Sequence, residues 1–226
     1  MIPIVSISNA IAGVFSLLLT IKTGTIYRKR REPYFRDFFY FLLFFTLYML
    51  FLAVPGLISN NTKVVTFSQI IAQIFLHFAA AFFISVPFLM FNLQKLRIIY
   101  FLLLLASLLL LIGANIVDFE YSSLVTKKNF YHWMVFREKK WLRFEIGIII
   151  GISALSGIFL FFKKGLKSTD PIVKKRSIFL GGGMFCLLLA SGLNYIAGSK
   201  LELPLMLAGS LSALSAMALM FLATKS

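Results

Sequence analysis

The sequence predicts an all-α integral membrane protein, a bundle of seven transmembrane helices forming a single domain over residues 1–226. Three observations carry this. Apolar residues make up 60% of the chain and charged residues only 14%, with a mean hydropathy of +0.91, far from the soluble range. The apolar residues form long runs separated by short basic loops. The 226 residues hold about seven spans of roughly 20 residues, with one connection long enough for structure of its own. No soluble catalytic domain fits in what is left. Cys186 is the only cysteine, so a disulfide framework or a cysteine metal site is excluded within one chain.

The first span covers residues 3–21. A basic cluster follows it and none precedes it, the reverse of a secretory signal peptide, so this segment is expected to remain in the mature protein. The loop 22–37 carries Lys22, Arg28, Lys29, Arg30, Arg31 and Arg36 against Glu32 and Asp37. Such a loop stays in the cytoplasm, which puts the N-terminus outside. The second span, 35–59, is crowded with Phe and Tyr, and Pro55-Gly56 marks a kink or stop near its outer end. Asn60 to Lys63 makes a tight outer turn; its Asn60-Asn61-Thr62 sequon lies too close to the bilayer to be a good glycan acceptor.

The third span, 64–90, carries a polar stripe that ends near Pro87. An inner turn with Lys95 and Arg97 leads to the fourth span, 98–117, which is leucine-dense and reads as a helix with wide lipid contact. Residues 119–143 are the long connection. Segments 121–126 and 130–136 are aromatic and β-branched on either side of Lys127-Lys128-Asn129, the pattern of a β-hairpin, and parity places it outside. Trp133, Trp141, Tyr121 and Tyr131 suit the headgroup level, while Asp118 and Glu120 are expected to pair with the hairpin's basic residues.

The fifth span, 144–162, holds Gly147 and Gly151 in a spacing that permits close helix contact. The loop 163–176 sets six basic residues against Asp170 and is cytoplasmic. The sixth span, 177–197, contains Gly181-Gly182-Gly183, then Ser191 and Asn194 on one face. The seventh, 203–222, offers a small-residue surface, and the C-terminus lies inside. The first three spans faintly echo the last three around the fourth, a parallel 3+1+3 arrangement.

The net charge of +15 sits mainly in the inner loops, where membrane orientation accounts for it. The partner it implies is anionic lipid, not nucleic acid.

Chemistry is sparse. In the third span Gln69, Gln73 and His77 recur every fourth residue in an otherwise apolar segment and form a stripe that continues through Ala81 to Ser85. Polar groups at membrane depth face a bundle interior or a wet cavity. Three readings stand: interhelical hydrogen bonding that fixes packing, contact with a ligand, and proton sensing by His77. Metal binding is disfavoured, because the only other histidine, His132, falls in the outer connection. The glycine triplet lacks the Gly-Lys-Ser/Thr ending of a phosphate loop, the span serines lack a base partner, and the seventh span has no lysine for a retinal Schiff base. No catalytic residue, cofactor or metal is expected.

Lys174-Lys175-Arg176 entering Leu180-Gly181, then Leu193-Asn194-Tyr195, Gly198 and Leu203-Pro204 before a small-residue helix, resembles the closing portion of the seven-helix N-terminal sensor region of bacterial histidine kinases. That family commonly carries a hairpin-like outer segment between helices four and five, which residues 121–136 match. The resemblance covers the second half of the chain. No kinase or cyclase domain follows Leu222, so it implies a free-standing sensor whose signal leaves through another chain.

The reading is therefore a receptor-like sensor in the cell membrane that binds a small ligand or responds to protons. Its ligand-facing residues are Gln69, Gln73, His77 and Asn194, in an interior open from outside beneath the hairpin. Its partners are the lipid bilayer, a separate signalling protein at the cytoplasmic loops and a second copy of itself as a homo-oligomer. The alternative is a small transporter built on the 3+1+3 arrangement, which needs a polar path to both faces. A structural scaffold comes third.

Overall fold

The computed structural model describes residues 2–127, 130–134, 139–200 and 203–224, with the side chains of 4, 127, 130, 132, 143, 194–200, 203 and 206 outside that description. The helices are α1 (Ile4–Arg30), α2 (Pro33–Ile58), α3 (Thr62–Met90), α4 (Gln94–Val117), α5 (Lys140–Lys167), α6 (Pro171–Lys200) and α7 (Leu203–Ala223). Strands β1 (Ser123–Lys127) and β2 (Phe130–Met134) lie between α4 and α5. They pair antiparallel, with Leu124 opposite Trp133. Among the described residues, α1 to α6 each contain a stretch long and apolar enough to cross a membrane, while the corresponding stretch of α7, Leu207–Ala223, is shorter. This is the architecture of a helical membrane protein.

Local chemistry sets the helix ends. Pro33 and Pro171 open α2 and α6, where the missing N–H costs nothing. The Asn61 side chain accepts from the Lys63 amide at 2.9 Å, so the residue next to the sequon asparagine is an N-cap of α3. Asp170 caps α6 in the same way, accepting from Ile172 N at 2.8 Å. Pro55 stays inside α2, which runs on to Ile58. At the end of α4, the Lys139 ammonium donates to the carbonyl of Ala114 at 3.0 Å and to that of Asp118. It lies 3.6 Å from the Asp118 carboxylate, a cation on a helix C-terminus, and the Lys139 amide donates to Glu120 Oε2 at 3.1 Å.

Neighbouring helices close a ring in the order α1, α2, α3, α5, α6, α7 and back to α1, while α4 packs outside it against α3 and α5. Burial follows position: 56% of the apolar window of α3 is buried against 22% for α4, whose Leu102, Leu105 and Leu109 are exposed. The core joins Phe41, Phe45, Phe83, Phe161, Met184 and Met217 from five helices. Glycines permit close approach in the half away from the strands. A Cβ at Gly181 would lie 3.3 Å from Phe161, and one at Gly165 2.9 Å from Ile178. Gly147 and Gly151 do not serve the close helix contact expected of them: a Cβ at either meets nothing within 4 Å among the described residues.

Candidate functional site: the central cavity and the polar ridge of α3

Residues four apart advance 400° around a helix, so each step of the α3 stripe turns about 40°, and the 16 residues from Gln69 to Ser85 turn about 160° over roughly 24 Å. The row therefore winds across several neighbours and does not face one interior.

Gln69 is buried at 5% exposure and fully engaged. Its Nε2 donates to the Trp133 carbonyl at 3.2 Å, and its Oε1 accepts from the Ser122 hydroxyl at 2.5 Å. Thr66 joins it, accepting from the Ser122 amide at 2.8 Å. Two residues of one helix turn thus anchor the connection that bears the strands. The second strand is held from other sides as well: Tyr131 donates its amide to Ile2 O at 3.1 Å and its hydroxyl to Gly56 O at 3.0 Å.

Gln73 is half-buried, and among the described residues no hydrogen bond involves its side chain. Its carbonyl lies 2.7 Å from His77 Nδ1. His77 is turned away toward α4 and α5. Its Nε2 lies 2.8 Å from the Ser107 hydroxyl, which donates to Glu145 Oε2 at 3.2 Å. The other carboxyl oxygen of Glu145 is buried with no partner among the described residues. Ser85, the last member of the row, donates to Asp37 on α2. Asp37 has no exposure and receives Arg36 at 2.9 Å and Arg97 at 3.2 Å, so one carboxylate joins α2, α3 and α4.

Inside the ring is a cavity of about 600 Å³, within the range of small-molecule sites. Its lining comes from α1, α2, α3, β2, α5, α6 and α7 and is mostly apolar, with Ser6, Asn9, Tyr48, Gln69, Gln73 and Ser191 among the polar members. Its described lining contains no Lys, Arg, Asp, Glu or His. Phe41, Phe83 and Met184 form its apolar end within the core. At the opposite end Trp133 and Met134, both buried, lie against it. The indole N–H of Trp133 is buried with no acceptor among the described residues.

Of the four residues singled out by sequence, Gln69 and Gln73 thus border the cavity and His77 does not. Asn194 belongs to α6, but its side chain lies outside the described residues. Sequence reasoning missed Trp133 as a cavity wall, Glu145 as the partner of Ser107, and Asp37 as a buried anchor. Asp37 did leave a trace: it is an acidic residue within an aromatic helix, with Ser85 ending the α3 row. A search of family models, curated proteins and solved structures finds no match to this chain.

Proposed function

We propose that this protein is a receptor-like membrane sensor module that holds an uncharged, largely apolar small molecule in the helix bundle and passes its occupancy to a separate protein at the cytoplasmic side. The observation that carries this reading is the cavity itself. It is lined by six helices and one strand, is mostly apolar, and lacks any described countercharge for an ionic ligand, whose uncompensated charge is costly at membrane depth. Gln73 offers an amide unengaged among the described residues as an orienting contact, and Gln69 holds the strand above it.

In this proposal all seven helices span the bilayer, the N-terminus and strands are outside, and the C-terminus is inside. Arg28, Lys29 and Arg30 end α1, and Lys164 and Lys167 end α5, which supports that orientation. These same cations are the docking surface for the output partner.

The transporter reading is supported by the ring order, which sets α1–α3 and α5–α7 about the cavity with α4 outside. The apolar end at Phe41, Phe83 and Met184 favours a one-sided pocket over a polar path. Mass spectrometry of organic extracts from protein purified in native membrane discs tests both. A specific uncharged molecule should be recovered, and Ala79→Trp, which fills the cavity, should abolish it. Absence of any such molecule, or undiminished recovery from the variant, refutes the sensor. Accumulation of the recovered molecule inside proteoliposomes establishes the transporter instead.

A further inference from the structure

Among the described residues, the half of the bundle near the strands is closed at its end and open at its side. At the end, Tyr131 and Trp133 of β2 bond to Ile2 just before α1, to α2 and to α3, and β2 packs on α1 and α6, so the route from water beneath the strands is covered. At the side, α5 and α6 behave differently along their lengths. Away from the strands they are in contact, with Gly165 against Ile178 and Gly181 against Phe161. Near the strands, a Cβ at Gly147 or Gly151 of α5, or at Gly192 of α6, meets nothing within 4 Å among the described residues. All three glycines nevertheless border the cavity, and Gly147 and Gly192 are exposed. Among the described residues, nothing fills the space between the two helices at these glycines, on the flank that faces hydrocarbon in the orientation proposed above.

A second observation specifies what the gap admits. Trp133 borders the cavity at 7% exposure, and its indole N–H has no acceptor among the described residues. Tryptophan can only donate there, and a buried donor left unpaired is unfavourable. Gln73 stands one turn, about 6 Å, from Gln69, whose amide grips the Trp133 carbonyl, so two polar groups with no side-chain partner among the described residues border the strand end of an apolar space. With no cation in the described lining, a phosphate headgroup has nothing to pair with, and about 600 Å³ suits a ligand of drug-like size, smaller than a two-chain phospholipid.

We propose that the cavity takes an uncharged single-chain lipid bearing a carbonyl oxygen, which arrives sideways from the bilayer through the α5–α6 gap and whose oxygen accepts the Trp133 indole N–H. This rests on the sensor reading, of which it names the ligand class and route.

Trp133 and Trp141 are the only tryptophans, so Trp141→Phe leaves Trp133 as the sole reporter. In phosphatidylcholine nanodiscs, methyl 9,10-dibromostearate should quench Trp133 saturably. A brominated alkane of equal length should bind at least fivefold more weakly. Gly147→Leu with Gly151→Leu should slow quenching tenfold or more, and Gly192→Leu, on the opposite wall, should do the same by itself. Gly113→Leu, on α4 and also free of neighbours, should leave the rate unchanged. Absence of saturable quenching overturns this proposal, while the sensor reading stands or falls with the extraction experiment. Saturable quenching at equal rates in all variants leaves the cavity reading standing and overturns the lateral route, and equal affinity for ester and alkane overturns the indole contact. If the double variant does not fold, Gly192→Leu decides the route.

Discussion

The side-chain amide of Gln69 donates to the carbonyl of Trp133 at 3.2 Å, joining residues 64 positions apart and fixing the strand that closes one end of the cavity. With Ser122 on its other side, Gln69 is an anchor whose groups are spent on the protein itself. Gln69→Leu should therefore destabilise the fold by about 1–3 kcal/mol, since two intramembrane hydrogen bonds are lost and two buried groups are left unpaired. Thermal unfolding in detergent measures this, and limited proteolysis should cut within 119–143 faster. Unchanged cleavage would show that the strands are held without it.

Asp37 ties three helices from one buried position. Asp37→Leu strands both arginines beside an apolar group, and a loss of roughly 2–4 kcal/mol is expected. The arginines are partly exposed, with Arg36 at 43% and Arg97 at 26%, which keeps the effect at the lower end. Arg36→Gln should cost less than Arg97→Gln, because Arg36 neighbours Asp37 in sequence whereas Arg97 brings in α4. Equal thermal shifts for the two arginine variants would contradict this ranking.

His77 reaches Ser107 on α4 and, through it, Glu145 on α5. His77→Leu breaks that chain and should cost about 1–2 kcal/mol in stability. It should leave cavity occupancy unchanged, because His77 is not part of the described lining. Quenching of Trp133 by the brominated ester reads the second half of this prediction, and lost occupancy in a folded variant would put His77 at the ligand.

Two glycines of α5 should respond oppositely to enlargement. A Cβ at Gly157 runs into the Phe83 ring, so Gly157→Leu should destabilise by about 1–3 kcal/mol through overpacking. Gly147 has open space, and Gly147→Ala should stabilise by about 0.5–1 kcal/mol through helix propensity. Unfolding midpoints of the two variants should move in opposite directions.

Glycine spacing shows how far the sequence could be read. Gly147 and Gly151 have the spacing that allows close packing, yet spacing says only that a helix may be approached, not that a neighbour comes near. The structure brings no described residue within 4 Å of a Cβ at either glycine. The α3 row is similar. Its four-residue period was legible, but where each member points depends on a 40° drift per step and on which helix stands at each angle, so Gln69, His77 and Ser85 bond to a strand, to α4 and to α2.

By itself the sequence determined that this is a membrane-spanning helical protein, because apolar runs of that length with charged ends have only one low-energy disposition toward water and hydrocarbon. Helix starts are set locally by Pro33, Asn61, Asp170 and Pro171, yet apolar runs alone put the sixth span at 177–197 whereas the helix begins at Pro171. Only the tertiary structure decided that six helices close round a cavity with α4 outside, that Asp37 is buried and shared, and that Trp133 turns an N–H with no acceptor among the described residues against the cavity. Those facts depend on contacts between residues tens to hundreds of positions apart, and in a chain this uniformly apolar nearly every helix face could have packed inward.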